Sequence, residues 1–471
     1  MTITAPASIL GPAHRRLTIG IVATVVVIAF EYMAVATVMP KAVDELDGIS
    51  RYAWAFSAML TMSLFAMVVS GEVCDRRGPR LPLLTGAAVF AAGLLVSGTA
   101  TGMWTFIAGR ATQGLGAGLV IVALYVVIGR AYGEDLRPRI FAALAAAWVL
   151  PSIVGPLIAG SMADYLSWRL VFVGVMPLVA VPILIALPQI MAFDGPQDGV
   201  GVRRRGRLWF AAATAAGMGL LQAAGLQRDA GAIVLALAAF VMLVPSVPRL
   251  LPPGALILRR GLPTVVTMRG ILAGAFLGAE AFVPLMLVDQ RGLSTTLAGL
   301  ALTGGAIGWA AGSWYQGRPG LAVPRYMLLR IGSGVVATGI AATGLVLIPA
   351  VPAWVAAVAW SIGAVGMGMS IATISVLLFQ LSPPADHGAN SAALQLCDAL
   401  FSLAFVGVAG VIFGTSHEAA GGTRPGVYAV IGGVMVAVAV AGSWASGRVR
   451  VHRGMEPAAP DPGEPRVPGV A

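Results

Sequence analysis

Five ionisable side chains interrupt long apolar runs: Glu31, Arg110, Arg269, Glu280 and Asp398. An ionised group deep in hydrocarbon costs several kcal/mol, so such residues usually face a water-filled cavity or a partner of opposite charge. Withdrawing a carboxyl group from water favours its protonated form, and a cation brought beside it favours the ionised one. A carboxyl group in a partly desolvated cavity therefore exchanges a proton for a cation. Glu31 stands nine residues before Pro40 at the outer end of its run, and Glu280 stands nine residues before Asp289 at the end of another. Matching depths in two separate runs suit an internal repeat. A packing role, in which each acid merely pairs with a polar neighbour, explains the burial of each acid but not the shared depth. Arg269 lies within two turns of the end of its run, where a long side chain can snorkel to the interface.

The elements that position these groups follow from composition. Of 471 residues, 58% are apolar and 11% carry a charge; a soluble domain runs nearer a quarter charged, so this chain cannot clothe itself for water. The apolar runs are long and lack the period-2 alternation of lipid-facing strands, which excludes a transmembrane barrel, and the hydrophobicity excludes disorder. Runs at about 18–40, 52–72, 81–101, 104–130, 138–163, 169–190, 208–227, 231–250, 263–288, 295–315, 326–348, 353–381, 390–414 and 426–446 give fourteen expected spans. Arg15 and Arg16 before the first run imitate a secretory signal, but that run is too long for a signal core and many more spans follow.

The expected fold is an all-α polytopic membrane protein with two pseudo-symmetric six-helix bundles and two linker transmembrane helices. Its parts are a tail at 1–17, a bundle at 18–190, a loop at 191–207, the linker helices at 208–250, a second bundle at 251–446 and a proline-rich disordered tail at 447–471. The polar turn Gln227-Arg228-Asp229 leaves open a non-crossing hairpin at 208–250, which would lower the count to twelve. The side carrying the termini holds 21 basic residues near the membrane and the opposite loops hold six. That asymmetry places both termini in the cytoplasm. It also explains the net charge of +10 without nucleic acid. Cys74 and Cys397 form no disulfide framework, and His14, His387, His417 and His452 fall in loops, tails or span ends. No metal or cofactor site is expected.

Three motifs narrow the reading. After the second span stands Gly71-Glu72-Val73-Cys74-Asp75-Arg76-Arg77-Gly78-Pro79-Arg80, where glycines permit a tight turn and the carboxylate and guanidinium groups form a breakable cluster. It resembles the G-x-x-x-D-R-x-G-x-R loop of the major facilitator superfamily. Arg110-Ala111-Thr112-Gln113-Gly114-Leu115-Gly116-Ala117 is similar to that superfamily's R-x-x-Q-G-x-G-A signature. Pro151-Ser152-Ile153-Val154-Gly155-Pro156-Leu157-Ile158-Ala159-Gly160 resembles its antiporter motif, with Pro151 and Ala159 replacing two glycines. The remaining glycines, Gly155 and Gly160, allow close helix packing, and Pro156 can bend the helix. Gln316 stands where a second copy of the loop motif would have its aspartate.

The resemblance covers the chain and points to the fourteen-span drug:proton antiporter branch. It implies a transporter and no enzyme, a gating loop of Gly71, Asp75, Arg76, Gly78 and Arg80, and an Arg110 that sits near Glu31 and tunes its proton affinity. Glu31 is then the principal coupling acid, with Glu280 and Asp398 as secondary carriers or cation-binding groups. Tyr32, Met33, Tyr125, Trp148, Trp360, Met367, Gln395 and Phe401 form a candidate cavity lining, since aromatic and thioether groups adapt to varied lipophilic cations. The expected partners are a small-molecule substrate, protons and the lipid bilayer of a bacterial plasma membrane, around a monomer. Proton-coupled transport of an endogenous metabolite, lipid or peptide stays open. Against a membrane-embedded enzyme, no H-E-x-x-H, nucleotide loop or metal-spaced Cys/His cluster is visible.

Overall fold

The computed structural model describes residues 8–48, 51–191, 206–225, 227, 230–420 and 425–450. Most of the 191–207 loop and of the tail from 447 lies outside these residues. Those described form sixteen α-helices: α1 (Arg15–Glu45), α2 (Tyr52–Arg77), α3 (Arg80–Gly98), α4 (Met103–Ala131), α5 (Arg137–Ala146), α6 (Val149–Tyr165), α7 (Arg169–Ile190), α8 (Arg207–Gly225), α9 (Ala230–Leu250), α10 (Leu262–Glu280), α11 (Val283–Arg291), α12 (Thr295–Gln316), α13 (Arg325–Gly344), α14 (Trp354–Leu381), α15 (His387–Ala420) and α16 (Pro425–Ala445). Only helices let a chain in lipid satisfy every backbone donor and acceptor within itself.

Sixteen helices come from fourteen runs because proline splits two of them. Pro151 has no N–H to offer the Ala147 carbonyl, so the chain breaks into α5 and α6, and the Trp148 amide donates to Ala145 O at 3.3 Å instead. Pro284 likewise withholds a donor from the carbonyl of Glu280, and α10 ends on that residue. Thirteen spans among the described residues are long and apolar enough to cross a membrane by length and composition. The fourteenth, α12, has 22 residues but is diluted by glycine, threonine and serine. It packs along α14.

The two halves repeat one packing scheme. In the first, α2 and α3 flank α4, α1 lies on α6 and α7, and α3 touches α7. In the second, α12 and α13 flank α14, α10 lies on α15 and α16, and α13 touches α16. The glycines of the second motif serve this geometry: a Cβ on Gly114 would strike the α2 backbone at Met59, and one on Gly116 would strike the α3 backbone at Phe90. Alternate glycines thus let α4 approach a different helix on each side. The linker helices α8 and α9 pair with each other, joined by a Thr214 to Ser246 hydrogen bond of 2.8 Å, and α8 leans on α2. Both are long and apolar enough to cross. The α16 helix continues into a 3-10 turn, Ser446–Val449, whose Arg448 carbonyl accepts from the Gly261 amide at 3.0 Å. The first residues of the expected tail are therefore built into the fold.

Candidate functional site

Glu31 lies midway along α1 and is 1% exposed. Its Oε1 accepts from Arg110 Nη1 at 2.5 Å, and the guanidinium is itself 2% exposed. The same Nη1 donates to Gln113 Oε1 at 2.5 Å, Nη2 meets Met59 Sδ at 2.8 Å, and Nε reaches Ala55 O at 3.4 Å. Arg110 and Gln113 meet because they stand one turn apart on α4. Glu31 Oε2 is buried with no hydrogen-bond partner among the described residues. This oxygen is the place where a proton fits without displacing the arginine.

Asp398 on α15 accepts from Arg269 Nε on α10 at 2.9 Å. Arg269 does not snorkel. It is 8% exposed, and its guanidinium turns inward because the Asp398 carboxylate offsets the loss of water. Glu280, the last residue of α10, is half-buried and has no ion pair among the described residues. The three expected acids thus differ in company: one sealed against an arginine, one paired and partly open, one single.

Tyr32 and Trp148 come together edge-to-face, with ring centroids 6.4 Å apart. Tyr32 follows Glu31 directly on α1. It nevertheless stays 46% exposed, and Trp148 39%. Met33 is half-buried beside Gly155, and Gly160 faces Thr37, so the antiporter motif lays its small residues along α1. Tyr125 is buried against Phe141, with centroids 5.3 Å apart. Trp360 and Met367 are sealed: Trp360 stacks on Phe276 at 4.4 Å, and both lie within helix packing in this conformation. Gln395 is buried with Oε1 unpartnered, and Phe401 packs over Gly270 and Gly274.

The seam between the halves is closed on the face that carries the start of α1 and the end of α16, here the terminal face. Asp75 Oδ1 and Oδ2 accept from the amides of Gly388 and Ala389 at 2.6 and 2.8 Å, capping the first turn of α15. A Cβ on Gly388 would meet the Gly71 carbonyl and the Asp75 carboxylate, so only glycine allows this approach. Gly78 takes φ 81°, a left-handed conformation that glycine adopts freely. Arg76 pairs with Glu72 at 2.7 Å. At the equivalent place in the second half, Gln316 Nε2 donates to Pro138 O at 3.0 Å and its Oε1 accepts from Arg325 Nη1 at 3.0 Å. Phe141 stacks on Phe379 across the same seam, with centroids 6.1 Å apart.

Polar contacts on the opposite, far face hold elements of one half together. Glu45 accepts from Trp168 Nε1 at 2.8 Å and Arg169 Nη1 at 3.0 Å, and Tyr428 donates to Asp289 Oδ2 at 2.6 Å. The polar contacts described between the halves thus lie at the terminal face, and those at the far face stay within one half. Sequence reasoning missed the Arg269–Asp398 pair. The only signal was two opposite charges in runs that the repeat makes neighbours.

Residues 21–406 match the sequence profile of the Major Facilitator Superfamily. The chain belongs to this superfamily. Among its relatives, the multidrug transporter protein MdtP of Bacillus subtilis is 32% identical over 31% of this chain and 27% of its own length. A Mycobacterium tuberculosis protein named "Probable multidrug-efflux transporter" is 25% identical over 84% of this chain and 87% of its own. The chain thus spans about a quarter of the former and most of the latter. The fold is that of the human organic anion transporter MFSD10, at TM-score 0.67 and 13% identity, with 92% of this chain and 99% of that one covered. It is also that of the proton:xylose symporter XylE, at TM-score 0.63 and 15% identity, with 91% and 95% covered. This superfamily member is a multi-pass membrane transporter and not an enzyme.

Proposed function

We propose that this chain is a proton-coupled exporter, an antiporter, of lipophilic cationic small molecules, working as a monomer by alternating access in a bacterial plasma membrane with both termini cytoplasmic. The observation that carries the reading is the sealed Glu31–Arg110 pair, which is buried among helices of the first half and leaves one carboxyl oxygen without a partner among the described residues. A proton on that oxygen cancels the attraction that holds the pair. Arg110 then becomes a buried charge without a counter-ion, a state the protein relieves by changing conformation. Protonation from the outer face favours release of cargo, and loss of the proton toward the cytoplasm favours loading. Glu280, without an ion pair among the described residues, offers a carboxylate to a lipophilic cation, and aromatic side chains such as Tyr32 and Trp148 offer ring faces. The names of two relatives as multidrug transporters support a broad cargo range.

The test uses purified protein in liposomes under an imposed pH gradient with fluorescent lipophilic cations. Glu31→Gln should abolish gradient-driven accumulation while the protein stays folded. A variant that pumps as well as wild type would overturn the coupling role.

A further inference from the structure

The two halves differ in the charge of their terminal rims. In the first half Glu72, Asp75, Glu134 and Asp135 stand among the arginines. In the second, the stretches 231–279, 317–385 and 425–450 contain eight arginines besides the buried Arg269, and neither aspartate nor glutamate. Three of those arginines meet at one place. The loop from α9 to α10 folds back onto α10, with the Ala255 and Arg259 carbonyls accepting from the Thr267 and Thr264 hydroxyls at 2.8 and 2.6 Å. Beyond the Gly261 amide already tied to the end of α16, Arg448 Nη1 reaches the Ile257 and Leu258 carbonyls at 3.5 and 3.4 Å. Leu258 takes φ 53°, a left-handed conformation that costs a leucine energy, so the surrounding contacts fix the shape of the loop. That shape turns two apolar side chains outward: Leu256 is 52% exposed and Ile257 74%. Beside them Arg259 and Arg260 are exposed, with no ion pair among the described residues. Trp444, one turn before Arg448, is also exposed, and the Arg448 guanidinium stands 5.8 Å from its ring centre.

We infer that the notch between the α9–α10 loop and the end of α16 is a binding site for an anionic phospholipid of the terminal-face leaflet, with the phosphate on Arg259, Arg260 and Arg448 and the acyl chains against Leu256, Ile257 and Trp444. The inference goes beyond the proposed transport and depends on neither its coupling nor its cargo. The loop lies at the level where the spans of α10 and α16 end, which is the depth of lipid phosphates. Large apolar side chains at that depth enter the boundary of the acyl chains, while arginines beside them stay among the headgroups. Tryptophan favours the same level. A guanidinium fork matches two phosphate oxygens at once, and no acidic side chain on these stretches competes for it. A zwitterionic lipid brings its own cation into a cluster of three, whereas an anionic one brings only the charge that the cluster lacks. A soluble acidic partner would answer the arginines and leave Leu256 and Ile257 uncovered. The bound lipid joins the start of α10 to the end of α16.

The experiment places a bimane fluorophore on Gly447→Cys in full-length protein in nanodiscs. Gly447 is exposed between Trp444 and Arg448, a Cβ there meets nothing within 4 Å, and the native Cys74 and Cys397 are buried. The bilayer is phosphatidylcholine with a minor share of phosphatidylglycerol, and bromine on the acyl chains of one lipid or the other quenches the dye at close range. At equal mole fraction, brominated phosphatidylglycerol should quench more than brominated phosphatidylcholine. Arg259→Gln and Arg260→Gln, at exposed positions, should each move half-maximal quenching by phosphatidylglycerol to an about fivefold higher mole fraction, the worth of one arginine near an anionic surface. Arg15→Gln and Arg16→Gln remove charge from the terminal face of the first half and should leave that midpoint in place. Equal quenching by the two lipids would overturn the site, as would a shift in the Arg15 and Arg16 variants as large as in Arg260→Gln. Displacement of the lipid by free glycerol phosphate would overturn it too, since that would mark a phosphate site with no use for the apolar pair.

Discussion

The Glu31–Arg110 pair is asymmetric in what its loss should do. Arg110→Met leaves a buried carboxyl group with neither water nor counter-ion, and breaking such a pair costs about 3–5 kcal/mol. Glu31→Gln keeps an oxygen for the Arg110 guanidinium but removes its counter-ion, so it should unfold below wild type by a smaller margin than Arg110→Met. Thermal unfolding in detergent separates the two, and equal losses would contradict the pairing. Glu45, on the far face beyond the α1 span, is held below the ordinary glutamate range, first by the Trp168 indole hydrogen bond and then by Arg169. Because its folded form favours ionisation, the stability it adds is present above the unfolded carboxyl range and disappears as pH falls through the folded one. The stability gap between wild type and Glu45→Gln should therefore be present at neutral pH and close in acid. That Arg110 sits near Glu31 was legible through the resemblance of Arg110–Ala117 to the superfamily signature, and the two meet at 2.5 Å. The partner of Arg269 was not, because Asp398 stands 129 residues away and their meeting depends on how α10 and α15 rotate against each other. The expectation that Arg269 snorkels failed for that reason.

At the scale of elements, runs of apolar residues gave helix existence and packing, while breaks needed attention to single prolines. Pro151 removes a donor at the middle of its span and Pro284 one toward the end of its own, and a window average over the span hides that effect. The first loop motif was legible as a charged latch, but its chief partner was not: Asp75 caps α15 through backbone amides, which carry no side-chain signature. Asp75→Asn loses the charge in both of these bonds, a cap worth about 1 kcal/mol, and should raise the fraction open at the terminal face by about fivefold, as read by spin-label distances across that face. The second copy of the motif uses Gln316 as a donor to the Pro138 carbonyl. An acid cannot donate there when ionised. Gln316→Glu should therefore loosen the terminal face, although it brings the sequence nearer to the acidic pattern of the first copy. A tighter face in that variant would show that the Arg325 contact outweighs the Pro138 bond.

For the whole molecule, the repeated scheme of α1 to α7 and α10 to α16 explains why few residues suffice to set a conformation. Each half is packed within itself, and the seam is the surface with the least to lose when it parts. The composition made the membrane class legible, because it follows from what a bilayer tolerates. Which face is shut could not be read from it, since either arrangement satisfies the same burial pattern within each half. The linker helices add a constraint of their own. While α8 leans on α2 in the first half, its opening residue, Arg207, donates through Nη2 to the Ala389 carbonyl at 3.1 Å, on the very turn of α15 that Asp75 caps. The hairpin thus acts as a strap with one buckle on each half, and a fluorophore pair, one dye on Arg207's end of it and one on the second half, would register any shift of one half against the other.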